Sequence, residues 1–250
     1  MKTFTLVVSL FAIMAFTATA KKKINVWLIG DSTMSVKEKK AYPETGWGMP
    51  FVNFWDSTVT ILNKAKNGRS TQSFMDEGIW KEVTDDLQED DYVFIQFGHN
   101  DEVPTKKTYT TPDQFRGNLV KYIAETKAKK GIPVLLTPVA RRKFDSTGTI
   151  QETHAAYSAI VREVAKEQNV ILIDLDKLSM KYYQQLGSET SKLLFNHLSP
   201  GEHPNYPEGK QDDTHFSELG ARKIAEIVLA EIKSQHLELA ERIVTVPVKK

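Results

Sequence analysis

Five short apolar runs, rich in branched residues, punctuate the chain at wide intervals: residues 24–29, 59–62, 92–97, 132–137 and 170–173. Most are apolar at consecutive positions rather than alternating ones, the pattern of strands covered on both faces of a parallel sheet. Between them the period changes to that of amphipathic helices. The clearest helix begins at Thr111, which can cap, with Pro112 at the first helical position and Gln114 completing a capping box. Phe115, Leu119, Tyr122 and Ile123 then share one face, and Gly131 is expected to close the helix. A second helix carries Tyr157, Ile160, Val161 and Val164, and a third starts at Ser217 and carries Ile224, Ile227, Val228 and Ile232. Parallel strands need crossover helices, so this alternation predicts a three-layer α/β/α sandwich. Residues 199–213, polar and rich in Pro and Gly, read as a surface loop, while 237–250 fit no element well.

The first twenty residues belong to a different category. Lys2 gives a short basic start, residues 4–16 are almost wholly apolar, and Ala18-Thr19-Ala20 offers the small-x-small pattern of a signal-peptidase site. The run is short for a membrane span, which needs about 20 apolar residues. Residues 1–20 are therefore expected to be a signal peptide, and 21–250 a single domain of a secreted or periplasmic protein. Cysteine is absent, which excludes a thiol nucleophile, a thiolate metal site and a lipid-modified cysteine anchor, and leaves stability to a packed core. A net charge of +1 gives no reason to expect nucleic acid or an anionic membrane as partner.

Open sheets of this class place their sites at the carboxyl ends of the strands, and the chain is chemically dense there. After the first strand comes Gly30-Asp31-Ser32-Thr33. A serine in that turn can hold its hydroxyl outward, with a following helix start aiming N–H groups at a developing anion; equally, Asp31 and Ser32 can simply cap that helix. After the second strand, Gly68 in Asn67-Gly68-Arg69-Ser70 is either an ordinary turn glycine or one that lets a backbone N–H approach an oxyanion. After the third, Gln96-Phe97-Gly98-His99-Asn100-Asp101 puts an amide donor, Asn100, at a strand end. His99 and Asp101 could start a metal site, but two ligands at that spacing are not a specific signature, and a hydrogen-bonded, structural His99 is the simpler reading. Near the C-terminus, Asp212-Asp213-Thr214-His215 places a carboxylate three residues before a histidine, close enough to curl back onto Nδ1 and leave Nε2 free. No Gly-x-Ser-x-Gly elbow is present.

Taken as a set, Gly30-Asp31-Ser32, Gly68, Gly98-x-Asn100-Asp101 and Asp212-x-x-His215 resemble the SGNH (GDSL-type) hydrolase superfamily. More narrowly, Gly30-Asp31-Ser32-Thr33, Asn67-Gly68-Arg69-Ser70, Gln96-Phe97-Gly98-His99-Asn100-Asp101 and Thr214-His215-Phe216 resemble the rhamnogalacturonan acetylesterase family. The resemblance implies a flavodoxin-like fold with five parallel strands. It implies Ser32 as nucleophile, His215 as general base and Asp212 as its orienting partner. The N–H groups of Ser32 and Gly68, with the Asn100 side chain, would form an oxyanion hole, and no metal or organic cofactor would be needed. Asp213 stands where the narrower family more usually has asparagine; of the two adjacent carboxylates, the D-x-x-H spacing favours Asp212.

The substrate so implied is an acetylated plant cell-wall polysaccharide, with pectic rhamnogalacturonan leading. Acetylxylan or simpler acetyl sugars, a lipase or lysophospholipase, and a non-catalytic carbohydrate-binding protein are the other possibilities. Arg69, Arg141, Arg142 and His99 could meet the carboxylates of an acidic polysaccharide, and Tyr206 and Trp47 could stack on sugar faces, although residues of these types on loops commonly serve only the surface.

Overall fold

Strands with apolar side chains on both faces must be covered twice. In the computed structural model, which describes residues 21–244, that requirement is met by five parallel strands between two layers of helices. The strands are β1 (Ile24–Gly30), β2 (Val59–Asn63), β3 (Tyr92–Gln96), β4 (Ile132–Leu136) and β5 (Ile171–Ile173). All lie within a residue or so of the apolar runs. The helices are α1 (Gly48–Phe51), α2 (Thr71–Asp76), α3 (Ile79–Asp86), α4 (Pro112–Ala128), α5 (Ala155–Glu167), α6 (Leu175–Thr190) and α7 (Glu218–Ser234). The proposed signal peptide, 1–20, lies outside the described residues. Among those described, no helix is long and apolar enough to cross a membrane.

The alternation of side chains along each strand sorts the core into two. Val26 and Leu28 of β1, Tyr92 and Phe94 of β3 and Val134 and Leu136 of β4 face one layer, with Phe51 of α1, Tyr183 of α6 and Ile224 and Val228 of α7. Trp27, Ile29, Val93, Ile95 and Leu135 face the other, with Phe74 of α2, Val83 of α3, Leu119 and Tyr122 of α4 and Val161 of α5. Consecutive apolar residues in one strand therefore serve opposite cores.

The strand order is β2-β1-β3-β4-β5, the flavodoxin-like order whose direction of winding reverses between β1 and β3. Gly30 pairs with Gln96 in register, so the segments that follow β1 and β3 leave the sheet side by side. That reversal opens a crevice at the carboxyl edge and fixes where a site can form.

Side-chain caps set the starts of α2, α4 and α7. Thr111 caps α4 in a capping box with Gln114, with Pro112 at its first position, and the Ser217 side chain caps α7 by accepting from Gly220 N–H. The end of α4 departs from expectation: Lys130, not Gly131, takes the left-handed conformation (φ 59°). Gly131 instead allows a close approach, since a Cβ there would lie 3.1 Å from the Thr126 methyl and 3.3 Å from the Asp91 carbonyl oxygen. The C-terminal segment is likewise more ordered up to residue 244 than its composition indicates, residues 245–250 lying outside those described. Residues Glu238–Arg242 form a 3-10 turn, and buried Arg242 donates to the Lys22 carbonyl and Thr58 Oγ1.

Phe94 tests the packing of the sheet, being fully buried with its ring 6.1 Å from that of Phe51. Phe94→Ala is expected to cost about 3–5 kcal/mol in urea unfolding, and a loss under about 1 kcal/mol would contradict this core.

Candidate active site

The two ends of the domain meet at the crevice. Ser32, just past β1, and His215, just before α7, lie with Oγ and Nε2 3.0 Å apart. His215 Nδ1 lies 2.9 Å from Asp212 Oδ2. An ionised carboxylate only accepts, so Nδ1 carries the hydrogen and Nε2 is left to accept from the Ser32 hydroxyl. Asp212 Oδ1 is also occupied, by the N–H groups of Thr214 at 2.8 Å and His215 at 2.9 Å. Burial pushes the Asp212 carboxyl up, but the hydrogen bond and charge of His215 and these two N–H groups outweigh it and hold the group well below the usual carboxylate range. Asp213 turns the other way and accepts from Arg142 and His197, each at 2.8 Å. Of the two carboxylates, Asp212 is the one on His215.

Backbone bonds clamp this segment from three sides. The His215 carbonyl accepts from Asn196 N–H at 2.8 Å, and the Phe216 carbonyl accepts from Thr45 N–H at 2.9 Å. Ser217 then starts α7, so the imidazole stands on a fixed chain.

The Ser32 side rests on a buried polar network. Asp31 Oδ1 accepts from Thr33 N–H and Oγ1 at 3.0 and 2.8 Å, and its Oδ2 lies 3.2 Å from His99 Nδ1. Gln96 donates to Thr33 Oγ1 at 2.6 Å and accepts from Trp47 Nε1 at 2.8 Å. Asp31 is raised by burial but lowered further by His99 and the Thr33 donors, so its carboxyl lies below the ordinary range. Burial pushes His99 down to about 4, leaving a neutral imidazole at pH 7. The expected helix after Ser32 does not form. Instead the N–H groups of Met34 and Ser35 return to the Asp31 carbonyl at 3.3 and 3.2 Å and the chain turns away, because the polar side chains Asp31 and Thr33 satisfy the backbone locally.

Three N–H groups are the expected oxyanion donors. Gly68 has φ +78°, a left-handed conformation that other residues adopt only with strain. Among the described residues, neither Gly68 N–H nor Ser32 N–H has a hydrogen-bond acceptor. Asn100 Nδ2 donates to the Arg69 carbonyl at 3.0 Å, and Asn100 Oδ1 accepts from Lys106 at 2.7 Å. Lysine only donates, which fixes the orientation of the amide and leaves its second N–H hydrogen available. Asp101 next door joins this strand end to α2, its Oδ1 accepting from Thr71 N–H and Oγ1 at 2.9 and 2.6 Å. Its Oδ2 has no partner among the described residues, and burial pushes its carboxyl up to about 7.

The remaining candidates are placed variously. Arg69 pairs with Glu77 at 2.8 Å. Arg141 donates to Thr214 Oγ1 at 3.0 Å and Glu102 at 3.1 Å, bracing the residue before His215. Arg142 is engaged with Asp213 and with the Ser188 carbonyl. Tyr206 is part-buried, donates to the Ala41 carbonyl and lies under Lys210, whose Nζ is 4.8 Å from the ring centroid. His99 is enclosed against the His154 ring, centroids 4.3 Å apart. Trp47 requires correction: it is fully buried and donates to Gln96, so it offers no face to a sugar. A tryptophan whose N–H is satisfied by a buried amide belongs to the core.

Four further residues at the site escape sequence reasoning: Lys37, Glu44, Lys106 and Lys210. Lys37 and Glu44 lie 2.8 Å apart, and Lys210 lies 3.5 Å from Glu44 and 3.3 Å from Asp212. Their lysines sit in charged or polar runs that read as solvated surface. Glu44, Asp212 and His215 have donor atoms within 4.8 Å of one another, as a metal site would. The ammonium groups of Lys37 and Lys210 already match those carboxylates, so the charge a cation would need is spent internally.

The pattern of the GDSL-like lipase/acylhydrolase family matches residues 28–223. The chain is 41% identical to the rhamnogalacturonan acetylesterase RhgT of Bacillus subtilis, over 90% of this chain and 96% of that one. It is 32% identical to the probable rhamnogalacturonan acetylesterase YesY of the same organism, over 88% and 97%. Among solved structures, the B. subtilis protein YxiM superposes with a TM-score of 0.75 at 26% identity, covering 87% of this chain and 58% of that one.

The buried Asp101 carboxyl makes a pH-dependent prediction. Its folded pKa, about 7, exceeds the unfolded value of about 4. Below about pH 4 it is protonated in both states and costs nothing; the penalty grows as pH rises and is complete above about 7. Asp101→Asn is therefore expected to raise Tm at pH 8 and to change it much less at pH 4.5. An equal shift at both pH values would contradict a raised Asp101.

Proposed function

Because the chain belongs to the GDSL-like lipase/acylhydrolase family and is a carboxylic ester hydrolase, we propose that it removes acetyl groups from a plant cell-wall polysaccharide, foremost pectic rhamnogalacturonan. The observation that carries the mechanism is the continuous relay from Ser32 Oγ through His215 to Asp212, with contacts of 3.0 and 2.9 Å. Ser32 Oγ attacks the acetyl carbonyl as His215 Nε2 takes its proton. Asp212 steadies the imidazolium. The oxyanion receives the N–H groups of Ser32 and Gly68 and the free amide hydrogen of Asn100. His215 then returns the proton to the departing sugar oxygen, leaving an acetyl-enzyme. A water activated by His215 repeats the sequence and releases acetate.

The polar walls of the crevice support a short acyl group on a hydrophilic carrier. Arg69–Glu77, Arg141–Glu102 and Lys106–Asn100 surround the site where a lipase needs apolar cover. The choice of rhamnogalacturonan rests on the activities named for RhgT and YesY. Export, with cleavage after Ala20 leaving 21–250 as the mature domain, fits a polymeric substrate found outside cells.

Three outcomes are expected. Ser32→Ala abolishes p-nitrophenyl acetate hydrolysis; normal activity in that variant would refute the serine mechanism. Asn100→Ala lowers kcat by roughly 10²–10³, the usual effect of removing one oxyanion donor, and an unchanged kcat would remove Asn100 from the site. Acetate release is faster from acetylated rhamnogalacturonan than from acetylated xylan or simple acetyl sugars. Faster xylan deacetylation, a preference for long-chain acyl esters, or polysaccharide binding without acetate release would each redirect the substrate reading.

A further inference from the structure

The turn beyond Ser32 reverses the normal order of burial: Val36 is 60% exposed while its neighbour Lys37 is 4% exposed. Placing an ammonium inside a protein is costly unless each of its three N–H groups finds an acceptor. Lys37 has all three. Its Nζ donates to the Ser32 carbonyl, to Asn67 Oδ1 at 2.8 Å and to Glu44 at 2.8 Å. Burial pushes the Lys37 ammonium pKa down against the pull of Glu44. Glu44 is raised by burial but lowered further by His215, Lys37 and Lys210, so its carboxyl stays ionised. Three acceptors around one ammonium make this a buried ion pair, a costly device where two apolar side chains would pack as well.

The identity of the acceptors shows what the pair can do. The Ser32 carbonyl belongs to the same residue as one N–H of the oxyanion site. Asn67 directly precedes Gly68, the source of the second. A Cβ at Gly68 would meet nothing within 4 Å, so no packing holds that residue in place. Its turn is held by its neighbours: Arg69 donates to the Asn67 carbonyl at 2.7 Å, and the Asn67 side chain accepts from Ser35 Oγ at 2.5 Å and from Lys37. One buried cation thus ties together two segments that belong to different strands of the sheet.

We propose that Lys37 is a positioning residue for acyl transfer, holding the Ser32 and Gly68 N–H donors in mutual register, with Glu44 as its fixed counter-ion. The inference rests on Ser32 being the nucleophile. Lys37 touches no reacting atom and acts through the backbone it binds. Its effect belongs to the transition state, where the oxyanion forms, rather than to substrate binding.

The test compares Lys37→Met/Glu44→Gln, Asn67→Ala and Ser32→Ala by steady-state hydrolysis of p-nitrophenyl acetate, with Tm measured alongside. The double variant leaves no unpaired buried charge, so most of the stability lost in Lys37→Met alone is expected to return. Its kcat is nevertheless expected to stay about 10- to 100-fold below wild type with KM little changed, less than the loss of a whole oxyanion donor. Asn67→Ala, which leaves the ion pair intact, is expected to lose about tenfold in kcat, again at constant KM. Either variant folding with wild-type kcat, or losing only in KM, would overturn the proposal. Should the double variant fail to fold, Asn67→Ala decides alone. Activity surviving in Ser32→Ala would refute the serine mechanism itself; an inactive Ser32→Ala beside fully active Asn67→Ala and double variants would refute only the role of Lys37.

Discussion

A 3.0 Å contact between Ser32 Oγ and His215 Nε2 joins residues 183 positions apart, and most of the fold can be understood as what brings those two atoms together. Ser32 is delivered by the most central edge of the crevice, the end of β1 where the sheet order reverses. His215 is delivered by the start of α7, which packs on the layer shared with α1 and α6. The serine stands on a turn whose N–H groups return to Asp31, and the histidine stands between two backbone hydrogen bonds and a helix cap.

Charge is distributed with equal economy. Asp31 and Asp212 are held ionised by hydrogen-bond donors, while His99 is held neutral by burial. Asp31 therefore braces the Ser32 turn through the Thr33 donors, beside a neutral imidazole, and Asp212 keeps its charge for His215. Glu44 and Lys210 add a second carboxylate and a second cation around the same histidine. The site is a set of matched charges rather than a single acidic or basic patch, and this is why net composition reveals nothing of it.

The architecture was legible because each of its signals is local. Consecutive branched residues mark strands covered twice, and Thr111-Pro112-x-Gln114 and Ser217 mark helix starts that hold in the structure. The candidate site was legible for a different reason: Ser32, Gly68 and Asn100 follow strands at the carboxyl edge, where one topological rule places chemistry, while Asp212–His215 stood out by its spacing and by resemblance to a known family. Long-range partnerships were not legible. Lys37 lies in a Val-Lys-Glu-Lys-Lys run that reads as solvated surface, and only its contacts with Asn67 and Glu44 explain its burial. Trp47 reads from sequence as available for stacking, but Gln96 satisfies its N–H inside the core. Asp212 and Asp213 were separable by spacing alone only as a preference, and Arg142 is the residue that draws Asp213 away.

The central claim is that this relay makes Ser32 a nucleophile. It is tested most directly by treating the enzyme with an organophosphate ester and mapping the phosphorylated residue by peptide mass spectrometry. Stoichiometric phosphorylation at Ser32, with loss of esterase activity in parallel and protection by an acetyl ester, is the expected result. Phosphorylation at another residue, or full inactivation with Ser32 unmodified, would contradict it.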